Sequence, residues 1–262
     1  MKVICILQAR MDSKRLPGKV VADICGQPML AHIINRLKRT KTIDEIIVAT
    51  TIKPEDDVIG NTVKRHSIPV FRGDVDNVLG RIARVVEKWK PDIVVHATGD
   101  NPLVSPEVID ALVQHCMNGN YDFTFMSGLP LGVGADVYRG DTILLLDQRA
   151  SSVHHREHIN AYVFDNCADF QIGRLPPHSA MQKPQLRLTV DTPEDLHLIR
   201  EIYKRLYKED AIVNLDDVLK WYENDPKLFT INAGIGQRYI SETAKKMREA
   251  VGHAKSTCSV QS

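Results

Sequence analysis

The stretch that decides the fold is VICILQARMDSKRLPGK, residues 3–19. Its first part, Val3 to Leu7, is an uninterrupted apolar run, which is typical of a strand buried in a parallel sheet. The loop that follows ends in a Pro-Gly-Lys turn and concentrates four cations, Arg10, Lys14, Arg15 and Lys19. Open α/β sheets bind phosphorylated ligands where such strands end. The loop therefore indicates a nucleotide triphosphate site, with a solvated basic loop as the alternative.

Strand-like and helix-like segments alternate through most of the 262 residues, which is the pattern of an α/β sheet flanked by helices. Apolar runs predict strands at residues 3–7, 45–50, 69–72, 92–97, 122–126, 135–138, 170–175 and 186–190. Amphipathic or capped stretches predict helices at residues 29–39, 58–66, 78–90, 106–117, 142–149, 153–164, 193–207, 215–222 and 240–250. No linker rich in proline, glycine or serine divides the chain, so we expect a single domain over residues 1–252 and a disordered tail at 253–262.

The chain is close to electrically neutral, because 34 Lys and Arg against 33 Asp and Glu give a formal net charge of +1. No global field therefore attracts nucleic acid or a membrane surface, and any anion site must be local. No apolar run approaches the ~18 residues of a membrane span, and the first strand is too short for a signal-peptide core. We expect a cytoplasmic protein that binds small molecules, and neither nucleic acid nor a membrane.

Two acids follow apolar segments that resemble each other. Asp100 comes after the strand-like run ending in His96-Ala97-Thr98-Gly99, and Asp191 follows Leu188-Thr189-Val190. Because Mg²⁺ is typically held by one or two carboxylates together with phosphate oxygens and water, the pair predicts a magnesium site near the basic loop. Each acid also has a structural alternative. Asp191 is placed to cap a helix, although Thr192 could also be the cap, and Asp100 is placed to satisfy turn amides before Pro102.

Several motifs together resemble the sugar cytidylyltransferases, the group that includes the acylneuraminate and 3-deoxy-manno-octulosonate enzymes. They are A-R-x-x-S-x-R-L-P-G-K at residues 9–19, G-Q-P-M-L at 26–30, G-D-x-P at 99–102 and V-D-T-P-E-D-L at 190–196. Two further segments resemble the SpsF-like branch of spore-coat polysaccharide biosynthesis, D-N-V-L-G-R at 76–81 and R-E-H-I at 156–159. The resemblance extends from about residue 2 to residue 207.

This resemblance implies a nucleotide-diphospho-sugar transferase fold of the GT-A type, with a mixed, mainly parallel sheet. It implies that a sugar hydroxyl attacks the α-phosphorus of CTP, which releases pyrophosphate and a CMP-sugar. The residues implied to bind the nucleotide are Ala9, Arg10, Ser13, Arg15, Lys19 and Arg72. Arg10, Lys19 and Asp100 are implied to be catalytic, and Asp100 and Asp191 to hold Mg²⁺. Relatives are commonly dimers, so we expect a homodimer.

Three residues are candidates for binding the acceptor. Asp136 occupies an acidic position characteristic of the spore-coat branch, with a plain turn acid as the alternative. Arg156 and His158 are expected to line the acceptor pocket, where a cation would pair with a sugar carboxylate, or else to pack at a subunit interface. Thr98 stands where the octulosonate enzymes carry glutamine, which indicates a different acceptor.

Other functions compete with this interpretation. A glycosyltransferase would carry a D-x-D metal motif, which Asp74-Val75-Asp76 matches as a string. A catalytically silent nucleotide-binding protein would be free to lose the loop cations and the two acids. A cytidylyltransferase acting on a phosphonate acceptor also stays open. His154 and His158, four residues apart on a predicted helix, would suit zinc, but no Glu or Cys at a suitable spacing completes a ligand set.

Overall fold

A seven-stranded sheet forms the centre of the protein, and the computed structural model describes residues 1–236 of the chain. The strands are β1 (Val3–Gln8), β2 (Asp23–Ile24), β3 (Gln27–Pro28), β4 (Glu45–Thr51), β5 (Val70–Gly73), β6 (Ile93–Thr98), β7 (Phe123–Met126), β8 (Asp136–Arg139) and β9 (Ile172–Leu175). The order across the sheet is β5-β4-β1-β6-β8-β7-β9, while β2 and β3 form a separate hairpin. Only β8 among these sheet strands runs antiparallel to its neighbours, so the predicted mixed, mainly parallel sheet is confirmed.

Helices cover both faces of the sheet. They are α1 (Met29–Leu37), α2 (Asp57–Lys64), α3 (Val78–Trp89), α4 (Pro106–Gly119), α5 (Gly140–Arg149), α6 (Val153–Glu157), α7 (Ile159–Asp165), α8 (Pro193–Leu206) and α9 (Leu215–Asn224). Because successive strand residues point to opposite faces, β1 contributes Cys5 to one core and Ile6 to the other. The first core packs against α1, α2, α4, α8 and α9, and the second against α3, α5 and α7.

The predicted helix at 153–164 is interrupted at His158, so that α6 and α7 are separate. His158 has backbone angles of φ −115° and ψ 91°, which lie outside the helical region. The chain turns there, and residues 157–161 face the cleft described below. The apolar spacing of both pieces is compatible with one continuous helix, which is why the sequence pattern missed the break.

The predicted strand at 186–190 is wrong. Its alternating pattern reflects the burial of Leu186, Leu188 and Val190. The segment makes an isolated bridge between Leu131 and Arg187 in place of a ladder. Farther along, the Val190 N–H donates to the Asp100 carbonyl (2.8 Å). The segment therefore crosses the carboxyl end of β6 and carries Asp191 to that edge without joining the sheet.

The predicted helix at 240–250 and the predicted tail at 253–262 lie outside the described residues. Between residues 1 and 236, no helix has the length and apolar character that a membrane span requires.

Candidate active site

The basic loop after β1 is anchored by a buried carboxylate. The Met11 N–H donates to Asp56 Oδ1 (2.7 Å), and the Thr51 N–H donates to the other oxygen of Asp56 (3.2 Å). The loop closes on itself where the Gly18 N–H donates to the Met11 carbonyl (2.9 Å). Gly18 has φ +74°, in the left-handed region that side chains avoid, and it redirects the chain so that Lys19 points inward.

The Lys19 ammonium brings the two predicted metal ligands together. Its Nζ lies 3.1 Å from Asp100 Oδ2 and 2.9 Å from Asp191 Oδ1, and it also donates to the Val190 carbonyl (2.8 Å). The Lys19 side chain is only 10% exposed. Two carboxylates that are far apart in sequence therefore face one cation at the carboxyl edge of the sheet.

Asp191 is held by three cations. In addition to Lys19, its Oδ2 accepts from Arg187 (2.7 Å) and lies 3.0 Å from an Arg15 nitrogen. Burial alone would raise the pKa of Asp191, but Lys19, Arg187 and Arg15 outweigh burial and lower that pKa. Burial would also lower the pKa of Lys19, yet the two carboxylates raise it. The lysine and Asp191 are therefore charged at neutral pH.

Arg187 fixes the orientation of Asp191. Its Nε and one terminal nitrogen donate to the two oxygens of Asp195, at 2.8 and 2.9 Å. Asp195 in turn closes the capping box of α8 with Thr192, and it accepts from Asn232 (2.8 Å). The cap of α8 is thus Thr192, which leaves the Asp191 carboxylate available to the cleft. The alternative that Asp191 serves as the helix cap is therefore wrong.

Asp100 also has a fixed orientation. The Thr98 hydroxyl donates to Asp100 Oδ1 (2.5 Å), and the Asn101 side chain donates to the Thr98 oxygen (2.9 Å). These bonds orient the Asp100 carboxylate so that its other oxygen, Oδ2, faces Lys19. Thr98, the residue at which the chain departs from the octulosonate enzymes, orients the Asp100 carboxylate in this protein.

A cleft of about 650 Å³ lies above this constellation. The basic loop, the end of β6, the start of β8 and residues 157–161 line it. It contains most of the residues predicted from the sequence, namely Ala9, Arg10, Ser13, Arg15, Lys19, Asp100, Asp136, His158 and Asp191. Across the cleft, an Arg10 nitrogen lies 3.5 Å from a Glu157 oxygen and joins the basic loop to the end of α6.

Two predicted residues do not line the cleft. Arg72 donates to the carbonyls of Thr51 (2.8 Å) and Lys53 (2.6 Å), and it also pairs with Asp57. It thereby fixes the turn between β4 and α2, and its role in nucleotide recognition stays a prediction. Arg156 pairs with Asp147 and donates to its carbonyl (2.7 Å), so it ties α6 to α5. The structure does not place this cation where it would meet a sugar carboxylate in the cleft.

The donor set suits magnesium better than zinc. Asp100 and Asp191 both face Lys19 Nζ with carboxylate oxygens, which are hard ligands that Mg²⁺ prefers, and phosphate oxygens and water would supply its remaining ligands. Among residues 1–236, no group of three or more His, Cys, Asp and Glu side chains could hold a metal ion. The ring centroids of His154 and His158 lie 5.1 Å apart with the ring planes tilted by 55°. Within residues 1–236 the two rings therefore belong to no larger group of candidate metal ligands.

A family model described as cytidylyltransferase matches residues 4–220 of the chain. This span includes the basic loop and both aspartates. The chain belongs to the cytidylyltransferase family. It is therefore a CTP-utilising nucleotidyltransferase, and the resemblance seen in the sequence motifs is confirmed.

Known cytidylyltransferases and related proteins agree with this assignment. The spore coat polysaccharide biosynthesis protein SpsF of Bacillus subtilis is 31% identical over 78% of this chain and 87% of the relative. A 3-deoxy-manno-octulosonate cytidylyltransferase of Anaeromyxobacter sp. strain K is 29% identical over 76% of this chain and 97% of the relative. The solved structure of a cytidylyltransferase from Leptospira borgpetersenii superposes with a TM-score of 0.82 at 26% identity, covering 92% of this chain and 100% of that one.

Sequence reasoning missed several cleft residues of this cytidylyltransferase. His96 interrupts the apolar run of β6, and Gln8 ends that of β1, so a polar residue within a buried strand was the available signal. Arg187 does not line the cleft but orients Asp191 (2.7 Å), and its place in an apolar alternation four residues before Asp191 is a similar signal. Asn160 enters the cleft through the break at His158, and no simple sequence pattern marks it.

Proposed function

We propose that this cytidylyltransferase transfers CMP from CTP to a hydroxyl of an acidic sugar, with release of pyrophosphate. The observation that carries the proposal is the Lys19 ammonium shared by Asp100 and Asp191 at the base of the cleft. Both the acids that would hold a metal and the cations that would hold a triphosphate converge at this point.

The basic loop suits the charge changes of the reaction. An acceptor oxygen forms a bond to the α-phosphorus while the bond to the bridging oxygen breaks, and pyrophosphate leaves with that electron pair. The proton of the attacking hydroxyl passes to solvent. Arg10, Arg15 and Lys19 lie where they would bind the triphosphate and stabilise the charge that grows on the leaving group. Phosphoryl-type transfer depends mainly on such positioning and charge neutralisation.

Asp100 and Asp191 are the residues that would hold Mg²⁺. Bound there with the nucleotide, the ion would neutralise charge on the phosphate oxygens. The triphosphate offers Lys19 and Arg15 an alternative anion, so their move from the carboxylates to the phosphates would free both acids. Arg187 would remain on Asp191 and keep it oriented.

The acceptor class and the biological context are supported by the relatives. One similar protein is named for 3-deoxy-manno-octulosonate, a sugar acid, and another for spore coat polysaccharide biosynthesis. A role in surface polysaccharide biosynthesis is therefore part of the proposal. A homodimer and a cytoplasmic location stay predictions.

The glycosyltransferase alternative has no support at the D-x-D string. Asp74 Oδ1 accepts from the backbone N–H groups of Asp76 (2.9 Å) and Asn77 (2.8 Å), so it stabilises the turn before α3. Neither aspartate lines the cleft.

Release of pyrophosphate tests the proposal. Purified protein is supplied with each of the four nucleoside triphosphates, Mg²⁺ or EDTA, and a panel of sugar acids that includes 3-deoxy-manno-octulosonate. We expect pyrophosphate only from CTP, only with Mg²⁺ and only with an acceptor. Asp100→Asn should fold normally but lower the rate on the order of 10²- to 10³-fold, because it removes a metal ligand. Asp216→Asn, an exposed change on α9, is the matched control.

Three results would contradict this proposal or part of it. Turnover of a preformed nucleotide-sugar without pyrophosphate would favour a glycosyltransferase. Binding of CTP with no turnover across the whole panel would favour a silent nucleotide-binding protein. An unchanged rate in well-folded Asp100→Asn would remove Asp100 from the metal site.

A further inference from the structure

The half of the cleft away from the basic loop has a floor of uncharged and acidic polar side chains. We call it the polar floor, and it consists of Gln8, His96, Asp136 and Asn160. His96 on β6 lies directly opposite Asp136 on β8 in the antiparallel register. Because residues opposite each other in such a pair project from the same face of the sheet, these two side chains share one surface.

The hydrogen bonds of the polar floor determine what it offers to a ligand. His96 Nε2 lies 3.0 Å from Gln8 Oε1, and a carbonyl oxygen only accepts, so Nε2 carries the hydrogen and Nδ1 is an acceptor. Burial lowers the pKa of His96, which keeps the imidazole neutral. Asn160 donates to Asp136 Oδ2 (2.6 Å) and fixes the orientation of that carboxylate. The floor thus combines two acceptors, the Asp136 carboxylate and His96 Nδ1, with the amide nitrogen of Gln8 as a donor.

The positive charges that line the cleft lie on the side of the basic loop, away from the polar floor. All Lys and Arg side chains that line it in the described part of the chain belong to the basic loop: Arg10, Lys14, Arg15 and Lys19. Asp100 and Asp191 stand beside these cations and pair with Lys19, and Glu157 pairs with Arg10 across the cleft. The acid of the polar floor is Asp136, whose hydrogen-bond partner Asn160 is neutral. An anionic group would therefore be repelled from the polar floor, while the loop offers it cations.

We propose that the polar floor binds hydroxyl groups of the acceptor. These hydroxyl groups belong to the end of the acceptor that is remote from its own carboxylate. The inference rests on the proposed function and specifies its substrate: a polyhydroxylated sugar acid whose carboxylate faces the basic loop. A small alkylphosphonate lacks hydroxyl groups for the floor, so the phosphonate alternative is disfavoured. The floor determines specificity, while the loop cations and the two aspartates carry the transfer.

Asp136→Asn tests the inference because it removes the charge while keeping the shape. The KM for 3-deoxy-manno-octulosonate, or for whichever sugar acid of the panel turns over best, should rise roughly 10- to 100-fold, as expected when a charged hydrogen bond is lost. The KM for CTP, and CTP binding measured by calorimetry, should change less than twofold. Asp165→Asn on α7 is the matched control, since Asp165 pairs with His155 outside the cleft.

A double variant distinguishes the effect of losing the carboxylate from an effect on the fold. Asp136→Asn combined with Asn160→Asp returns one carboxylate to the polar floor, and it should recover part of the acceptor KM lost in Asp136→Asn. Thermal unfolding of all variants identifies any that do not fold. An unchanged acceptor KM in folded Asp136→Asn, with normal turnover by the unmodified enzyme, would overturn the inference but leave the proposed function intact. A higher kcat/KM for methylphosphonate than for every sugar acid would overturn it as well. No turnover by the unmodified enzyme with any acceptor would overturn both the inference and the proposed function.

Discussion

Lys19 occupies the point around which the proposed metal site is built. Its ammonium bonds one oxygen of Asp100 and one of Asp191, and its side chain is nearly buried. Removal of a buried ionic partner leaves charged groups without compensation, which costs more than the pair contributes when intact. Lys19 therefore stabilises the fold and, in our proposal, binds the triphosphate during turnover.

We expect Lys19→Met to affect both functions. CTP affinity in the presence of Mg²⁺ should fall at least about tenfold, since a charge-assisted contact to phosphate is lost. The free energy of unfolding should decrease by about 1–3 kcal/mol because the two carboxylates lose a donor. Calorimetric CTP titration and urea unfolding measure the two effects, and Lys220→Met, exposed on α9, is the control. Unaltered CTP affinity would show that Lys19 does not touch the nucleotide.

At the scale of elements, the loop before β8 positions the segment that ends in Asp191. Gly132 has φ +95°, and a Cβ at this residue would lie 2.5 Å from the Thr189 backbone nitrogen. Leu131 bonds the same segment on both sides, donating to the Leu186 carbonyl (2.8 Å) and accepting from the Leu188 N–H (2.7 Å). The loop and the segment are therefore packed backbone against backbone.

Gly132→Ala should push residues 186–191 away from the loop. Strained backbone and a clash with main-chain atoms together should cost about 2–4 kcal/mol of unfolding free energy. The kcat should fall as well, because Asp191 moves. Gly60→Ala in α2 is the contrasting variant: no atom lies within 4 Å of its new Cβ, so it should stabilise the helix by about 0.5–1 kcal/mol. Equal stability of the two variants in urea unfolding would show that the contact at Gly132 carries no strain.

For the whole molecule, the sheet could be predicted because its central strands are buried on both faces. β1, β4 and β6 are mostly apolar segments, interrupted in β6 by His96, and where their predicted and observed ends differ they differ by one residue. The segment 186–190 alternates apolar and polar residues as a strand does, but burial by loops produces the same pattern as burial in a sheet. Apolar alternation reports burial, and only the long-range pairing partners distinguish the two cases.

The site could be predicted where its residues follow strand ends in recognisable motifs, as Lys19, Asp100 and Asp191 do. It could not be predicted where tertiary packing decides the outcome. Arg156 was expected in the cleft, but the Asp147 carboxylate on α5 holds it elsewhere. Asn160 lines the cleft just after the chain turns at His158, between α6, which packs against α3, and α7.

The most direct test is a crystal structure of the protein with CTP and Mn²⁺, in which anomalous scattering locates the metal. We expect a metal peak bonded to carboxylate oxygens of both Asp100 and Asp191, with Lys19 Nζ moved onto a phosphate. A metal bound to the triphosphate alone, while Lys19 still joins the two aspartates, would contradict the proposed metal site.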